Sequence, residues 1–63
     1  MPIITINQFE GRTIEQKRQV AKEITDSIVK IYEISADRVN IAFFDVPKHN
    51  AAKGGKLYID QQL

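Results

Sequence analysis

The residue with the most distinctive chemical potential in this chain is Pro2, which directly follows Met1. A methionine before a small residue is normally removed during synthesis, and its removal here would leave proline with a free secondary amine. An α-amino group titrates at about 7.7–8.0, and nearby cations or desolvation lower that pKa. A base with a pKa near the working pH is suited to general acid–base catalysis. Taken alone, however, a small second residue indicates only efficient removal of methionine.

The remaining residue types give little support for metal or nucleophilic chemistry. The chain has no cysteine and a single histidine, His49, which excludes a disulfide, a thiolate metal site and a histidine-rich zinc site. The unperturbed pKa of histidine lies near physiological pH, but a lone loop histidine without an evident partner is more typical of a surface residue. We therefore expect no metal and no other cofactor, and His49 is not in the predicted catalytic set.

Length and charge limit the class of protein further. The 63 residues are enough for one domain, residues 1–63, and a chain this small buries only about 60% of its unfolded surface. Nine basic and eight acidic residues give a net charge of +1 without the basic stripe of a nucleic-acid binder. No apolar stretch approaches the ~20 residues that span a bilayer, and no signal-peptide pattern is present. We expect a cytoplasmic protein with neither a nucleic-acid nor a membrane partner.

The pattern of apolar residues predicts a strand followed by a helix. Residues 2–9 are rich in β-branched side chains, which favours a strand. Residues 13–16 match a capping box, with Thr13 as the N-cap and Gln16 three positions later. An amphipathic helix of about five turns follows. Its predicted apolar face consists of Val20, Ala21, Ile24, Ile28, Ile31 and Tyr32.

A second predicted strand, residues 39–46, has apolar residues on both faces. A strand–helix–strand unit of this length is right-handed and has two parallel strands. One helix can cover only one face of such a sheet, and a strand that is apolar on both faces is normally covered on both. Because disulfides, thiolate metal sites and a histidine-rich zinc site are excluded, oligomerisation is the remaining device that stabilises so small a chain. We therefore predict that another copy of the chain covers the second face.

The C-terminal tail, from Pro47 onward, is too short for a core of its own. Gly54 and Gly55 predict a tight hairpin turn, with residues 56–59 as a short strand after it. We expect this tail to pack on a neighbouring subunit. The predicted fold class is α+β: a β-α-β protomer with two parallel strands, one long amphipathic helix and a C-terminal hairpin.

Four segments carry a resemblance to a known family: Met-Pro-Ile at the start, Glu-Gly-Arg-Thr at 10–13, Glu-Gln-Lys at 15–17 and Gly-Gly at 54–55. With these segments, the chain resembles the 4-oxalocrotonate tautomerase family over essentially its whole length. The resemblance implies the tautomerase superfamily fold and a homohexamer built from dimers. It also implies a cofactor-free isomerase whose N-terminal proline moves a proton between carbon and oxygen of an enol or dienol acid.

The same resemblance implies roles for individual residues. Pro2 matches the catalytic proline, and Arg12 matches the arginine that holds the substrate carboxylate, for which the planar fork of a guanidinium is suited. Family members often have a second arginine in the second strand, where this chain has Asn40. Arg38, roughly 6–7 Å away along the strand, is a candidate to replace that arginine in part, with Asn40 as a weaker polar contact. The tail aromatic that forms an apolar wall beside the proline is replaced by Ala51.

Two hypotheses about function follow. The leading one is a tautomerase that converts a 2-hydroxydienoate or a related enol acid to its keto form, with Pro2 as the general base. The departures at Asn40 and Ala51 disfavour the family's well-known kind of diacid substrate. The alternative is an oligomeric binding or structural protein of the same fold, in which catalysis is weak or lost. Dehalogenation or decarboxylation on this scaffold would need further polar groups to activate water, and the sequence assigns none clearly.

Overall fold

The structure is a computed structural model that describes residues 1–61. Its strands and helix, in chain order, are β1 (Ile3–Phe9), α1 (Ile14–Tyr32), β2 (Asn40–Val46), β3 (Ala52–Lys53) and β4 (Lys56–Leu57). Short 3₁₀ turns lie at Ala36–Arg38, Lys48–Asn50 and Tyr58–Asp60. Within the described range, no helix is both long and apolar enough to cross a membrane.

Strands β1 and β2 pair in parallel, and α1 connects them. The register joins Ile3 to Asn40 at one end and Phe9 to Val46 at the other. The predicted β-α-β protomer with two parallel strands is confirmed. This register also fixes which loops are neighbours, because the chain before β1 lies beside the start of β2, and the loops after both strands share the opposite end.

Local hydrogen bonds define both ends of α1. The Thr13 hydroxyl accepts a hydrogen bond from the Gln16 N–H at 3.0 Å, and the Gln16 side chain accepts one from the Thr13 N–H at 3.0 Å. The predicted capping box is thereby confirmed. At the other end, Glu33 adopts the left-handed conformation (φ 56°, ψ 48°), and its N–H donates to the Val29 carbonyl at 3.0 Å.

Helix α1 covers one face of the sheet and runs antiparallel to the strands. Ile4, Ile41 and Phe43 are half-buried on this face. Near the start of α1, the Lys17 ammonium lies 5.9 Å from the centre of the Phe43 ring. Near its end, Ile28 borders a cleft together with Ile4. The start of the helix is therefore next to the ends of the strands.

The opposite face of the sheet is open. Exposure alternates strictly along β1, and on the uncovered side Ile3 is 75% exposed and Phe44 in β2 is 52% exposed. None of residues 1–61 is fully buried. The prediction that one helix leaves one apolar face uncovered is confirmed. Cover by another copy of the chain remains a prediction.

The boundary predictions were wrong at two places. The predicted apolar face of α1 included Val20, Ile31 and Tyr32, but all three are exposed in the single chain. Ile31 and Tyr32 lie at the end of α1, beside the start of β1 at Ile3, where little of the strand covers them. The predicted strand 56–59 ends at Leu57, and Tyr58 begins a 3₁₀ turn. There the Tyr58 ring turns inward and packs edge to face on Phe9.

The tight turn predicted at the glycine pair is confirmed. Gly54 and Gly55 adopt positive φ angles of 62° and 83°, which side chains disfavour. They join β3 to β4 as an antiparallel hairpin with Ala52 opposite Leu57. Through the contact between Phe9 and Tyr58, the tail packs on its own sheet, and its predicted packing on a neighbouring subunit is untested.

Candidate active site

Pro2 lies at the end of the sheet where both strands begin. Its carbonyl accepts a hydrogen bond from the Asn40 N–H at 3.0 Å, next to the pair formed by Ile3 and Asn40. The residue is half-buried. Strand pairing therefore fixes the backbone of Pro2 against the sheet, although it is only the second residue of the chain.

Pro2 forms part of an open cleft of about 490 Å³. The residues that line it are Met1, Pro2, Ile3, Ile4, Ile28, Tyr32, Ile34 and Arg38. Its volume is within the range of about 300–1,000 Å³ that is typical of small-molecule sites. The walls are mainly aliphatic, and among the described residues that line them Arg38 alone has a cationic side chain and none has a carboxylate. This composition favours a small organic anion with an apolar body.

Arg38 and Asn40 differ in their relation to the cleft. Arg38 ends a 3₁₀ turn in which its N–H donates to the Ser35 carbonyl at 3.1 Å, and it borders the cleft beside Pro2. The Asn40 side-chain amide instead donates towards the Arg38 carbonyl at 3.5 Å, and Asn40 is not among the lining residues. The structure thus brings Arg38 to Pro2, whereas Asn40 contributes its backbone N–H.

Arg12 lies at the opposite end of the sheet, in the loop between β1 and α1. It borders a smaller cavity of about 130 Å³ that is also lined by Gln8, Gln16, Lys17, Val20 and Phe43. The seven residues of β1 separate this loop from Pro2, a span of about 23 Å at the rise per residue of a parallel strand. A single chain therefore does not bring Arg12 to Pro2.

A polar cluster beside Arg12 consists of Gln8, Lys17 and Asp45. The Lys17 ammonium forms an ion pair with Asp45 Oδ2, and Gln8 Nε2 donates to Asp45 Oδ1 at 3.1 Å. The hydrogen bond from Lys17, and secondly that from Gln8, hold the pKa of Asp45 below its ordinary value. Lys17 is thus already paired, whereas Arg12 forms no ion pair with any of residues 1–61. Its guanidinium is available to an external carboxylate.

Aromatic side chains border Ala51, although Ala51 itself supplies none. Ala51 lies in a shallow groove with Phe9 and Val46, and its carbonyl accepts a hydrogen bond from the Tyr58 N–H at 2.9 Å. The Phe9 and Tyr58 rings have centroids 4.8 Å apart and meet at 66°, a favourable edge-to-face arrangement. The aromatic surface beside this position therefore comes from β1 and the last 3₁₀ turn.

Sequence reasoning missed Tyr32 as a residue of the Pro2 cleft. The helical period assigned it to the apolar face of α1, yet it borders the cleft and is 63% exposed. Its position in the last turn of the helix, shortly before the predicted second strand, was the available signal. Helix and strand run in opposite directions here, so the end of α1 lies beside the start of β1.

Neither His49 nor a metal site adds to this picture. His49 is exposed in the 3₁₀ turn after β2. Within residues 1–61, no three histidine, cysteine, aspartate or glutamate side chains are grouped so that they could hold a metal ion. Among the described residues, the polar or reactive groups of the two cavities are therefore Pro2, Tyr32 and Arg38 in one and Gln8, Arg12, Gln16 and Lys17 in the other.

Comparison with known sequences gives a consistent result. The family model described as "Tautomerase enzyme" matches residues 2–61. A relative from Bradyrhizobium diazoefficiens, named "Probable tautomerase", is 39% identical over 61 residues, which cover 97% of this chain and 91% of the relative.

Two solved structures are similar over nearly the whole chain. One, from work on the 4-oxalocrotonate tautomerase isozymes of Methylibium petroleiphilum, has a TM-score of 0.80 at 33% identity and covers 92% of this chain and 91% of its own. Another, from work on a heterohexamer 4-oxalocrotonate tautomerase of Chloroflexus aurantiacus, has a TM-score of 0.81 at 22% identity, with coverage of 98% and 100%. At that identity the likeness concerns the fold alone.

Proposed function

The chain belongs to the tautomerase family and is an isomerase, and from this premise we propose that it converts a 2-hydroxydienoate or a related enol acid to the keto acid. The observation that carries the proposal is the position of Pro2 in an aliphatic cleft, whose lining by residues 1–61 has one cationic side chain and no carboxylate. Membership of the family supports an enzyme over the alternative of a binding protein that has lost catalysis. The reaction moves a proton without a change of oxidation state, so it needs no cofactor.

Pro2 acts first as a base and then as an acid. After removal of Met1, its nitrogen takes the proton of the enol hydroxyl, and the oxygen electron pair forms the carbonyl bond. The displaced π electrons then form a carbon–hydrogen bond with the proton held on Pro2, which returns the amine to its starting state. The aliphatic walls disfavour the charged form of the amine, so Pro2 rests as a base.

The two arginines hold the negative charge of the substrate. Arg12 binds the carboxylate, because a guanidinium offers two parallel hydrogen bonds and has no competing ion pair within residues 1–61. Arg38 is a second cation at the cleft, and it helps Arg12 to hold the carboxylate. Asn40 is a weaker contact, since its amide is directed to the Arg38 carbonyl.

A second copy of the chain supplies Arg12 to Pro2. The distance along β1 supports this, because Pro2 and Arg12 lie at opposite ends of a seven-residue strand. The open apolar face of the sheet offers the surface on which copies associate. The proposed assembly is a homohexamer, the number that the resemblance to the 4-oxalocrotonate tautomerase family implies.

Mixed oligomers test this arrangement. Pro2→Ala and Arg12→Ala chains, each poorly active alone, are unfolded together and refolded, and the conversion of a dienol acid is followed by ultraviolet absorbance. If Arg12 acts across an interface, random pairing makes about a quarter of the sites intact, and activity returns. Absence of any recovery contradicts a shared site.

A matched mixture provides the control. Pro2→Ala and Arg38→Ala are combined in the same way. These two residues border one cleft in a single chain, so every site in the mixture lacks one of them. The activity of the mixture should therefore stay at the average of the two single variants. Recovery in this mixture as well would show that Pro2 and Arg38 of one site come from different chains. The assignment of Arg38 to the cleft of its own chain would then fail.

A further inference from the structure

We propose that Tyr32 is a substrate-binding residue whose hydroxyl donates a hydrogen bond to the oxygen from which Pro2 removes the proton. This assignment rests on the proposed function and deepens it, because it names a neutral donor in the cleft of the same chain. It gives the site a preference for acids that have an oxygen at the carbon next to the carboxylate.

The position of Tyr32 is fixed by the end of its helix. Tyr32 is the last residue of α1, and the next residue, Glu33, closes the helix with its bond to the Val29 carbonyl at 3.0 Å. The left-handed conformation of Glu33 turns the chain away at this point. Tyr32 is thus held at the border of the cleft by a capped helix and not by a loop.

The surroundings of Tyr32 indicate a role for its hydroxyl. The cleft walls consist of Met1, Pro2, Ile3, Ile4, Ile28, Tyr32, Ile34 and Arg38. Tyr32 and Arg38 are the two lining side chains with strong hydrogen-bond donors, and neither donates to another of residues 1–61. An unpartnered phenol beside a cation, among aliphatic walls, fits a ligand that presents two separate oxygen groups.

The chemistry of the enol acid provides those two groups. Its carboxylate is a permanent anion, for which an arginine is the suitable partner. Its hydroxyl oxygen is neutral at first, becomes negative as Pro2 removes the proton, and is neutral again as a ketone. A phenol donor stabilises this charge when it develops. Because the phenol is neutral, no cation is left without a counter-charge once the oxygen is again that of a neutral ketone. Such a bond therefore contributes mainly in the transition state.

Removal of the hydroxyl alone tests the assignment. Tyr32→Phe keeps the ring and deletes the donor, and activity is measured with 2-hydroxypentadienoate, an acid with one carboxylate. The control is Ser27→Ala, which also deletes one exposed hydroxyl from α1 but at a residue that does not line the cleft. We expect kcat of Tyr32→Phe to fall by about 10²–10³, as for loss of one oxyanion donor, with KM within a few-fold. Ser27→Ala should match the parent.

Inhibitors that cannot react separate binding from catalysis. The parent and Tyr32→Phe are compared for competitive inhibition by 3,3-dimethyl-2-oxobutanoate, which has no hydrogen on the carbon next to its ketone, and by 3,3-dimethylbutanoate, which lacks the second oxygen. Loss of a neutral hydrogen bond should weaken inhibition by the oxo acid about two- to tenfold, with inhibition by 3,3-dimethylbutanoate unchanged. Equal effects on both inhibitors would instead indicate that the ring is only a wall of the cleft.

Two outcomes overturn different claims. If Tyr32→Phe retains parent activity while correctly processed Pro2→Ala is inactive, the tyrosine assignment fails and the proposed function stands. If Pro2→Ala is as active as the parent, the proposed function fails, and the role of Tyr32 fails with it. Circular dichroism and the mass of the assembly verify that each variant is folded.

Discussion

At the scale of single residues, the reactivity of Pro2 depends on whether its nitrogen is part of an amide or is a free amine. An internal proline nitrogen is an amide without basicity, whereas an N-terminal one is a secondary amine. The backbone of Pro2 is held by the bond between its carbonyl and the Asn40 N–H, so its nitrogen would occupy a fixed place at the cleft. Such positioning is what distinguishes a catalytic amine from an ordinary chain terminus.

We predict that Met1 is removed from the active protein and that Pro2 is its base. Correctly processed Pro2→Ala should lower turnover by about 10²–10⁴, the usual contribution of a positioned acid–base group. Intact mass identifies the processed chain, and ultraviolet absorbance follows the reaction. Full activity of a preparation that retains Met1 would refute this prediction.

The second prediction concerns Arg12. Arg12→Ala should reduce kcat/KM by one or more powers of ten, each equivalent to about 1.4 kcal/mol of lost transition-state binding. Arg18→Ala is the matched control, because Arg18 is an exposed arginine nearby that pairs with Glu15 in its own helix, and we expect it to change little. Arg38→Ala should have a smaller effect than Arg12→Ala. If Arg12→Ala kept the parent kcat/KM while Arg38→Ala lost measurable activity, the two roles would be reversed.

The sequence was informative about some site residues and not about others. Pro2 and Arg12 were singled out because short motifs carried them. The relation of Arg38 to Asn40 depends on a 3₁₀ turn, in which side-chain direction does not follow strand alternation. Tyr32 was assigned to the helix core because a period of 3.6 residues does not distinguish a packed face from the wall of a cleft.

At the scale of elements, the cluster of Gln8, Lys17 and Asp45 connects the start of α1 to the ends of both strands. Gln8 is in β1, Asp45 is in β2 and Lys17 is in the first turns of α1. These are the elements that flank the loop of Arg12. The sequence predicted the elements and their order, since periodicity and the capping box are local signals. It did not predict this cluster, because only the register of the sheet brings Gln8 opposite Asp45.

This cluster predicts a dependence of stability on pH. The hydrogen bonds from Lys17 and then Gln8 lower the pKa of Asp45 from its ordinary value of 3.8. The unfolded state therefore binds more protons than the folded state near that pH. The contribution of Asp45 to the free energy of unfolding is present above its unfolded pKa and is lost as the pH falls through its lower, folded pKa.

Urea unfolding across the acid range measures this contribution. Asp45→Asn should have a lower free energy of unfolding than the parent at neutral pH. As the pH falls through the acid range, its free energy of unfolding should decrease less than that of the parent. Asp26→Asn is the control, because its pair with Lys22 is largely exposed, with side chains 61% and 70% accessible, and such pairs contribute little. Identical acid limbs for the parent and Asp45→Asn would contradict the role of the cluster.

At the scale of the whole molecule, residues 1–61 of a single chain enclose no interior of their own. None of residues 1–61 is fully buried, and apolar side chains such as Ile3 and Phe44 lie on the open face of the sheet. The sequence predicted this, because residues 39–46 are apolar on both sides and one helix covers only one of them. The number of copies and their symmetry were not predictable from that argument, since an uncovered face specifies a partner surface and not a count.

The last prediction is that the folded protein is an obligate homo-oligomer, with six chains as the proposed number. Each large apolar side chain contributes roughly 1.5–3 kcal/mol when fully buried, so two or three on the open face exceed the stability margin of so small a domain. Stability should therefore rise with protein concentration, because assembly and folding are linked. Phe44→Glu should dissociate and unfold the protein, whereas Ile14→Glu, an exposed apolar position at the start of α1, should not. In sedimentation equilibrium at micromolar concentration, a folded 7.2 kDa monomer would refute the physical claim, and a stable dimer or trimer would refute only the count.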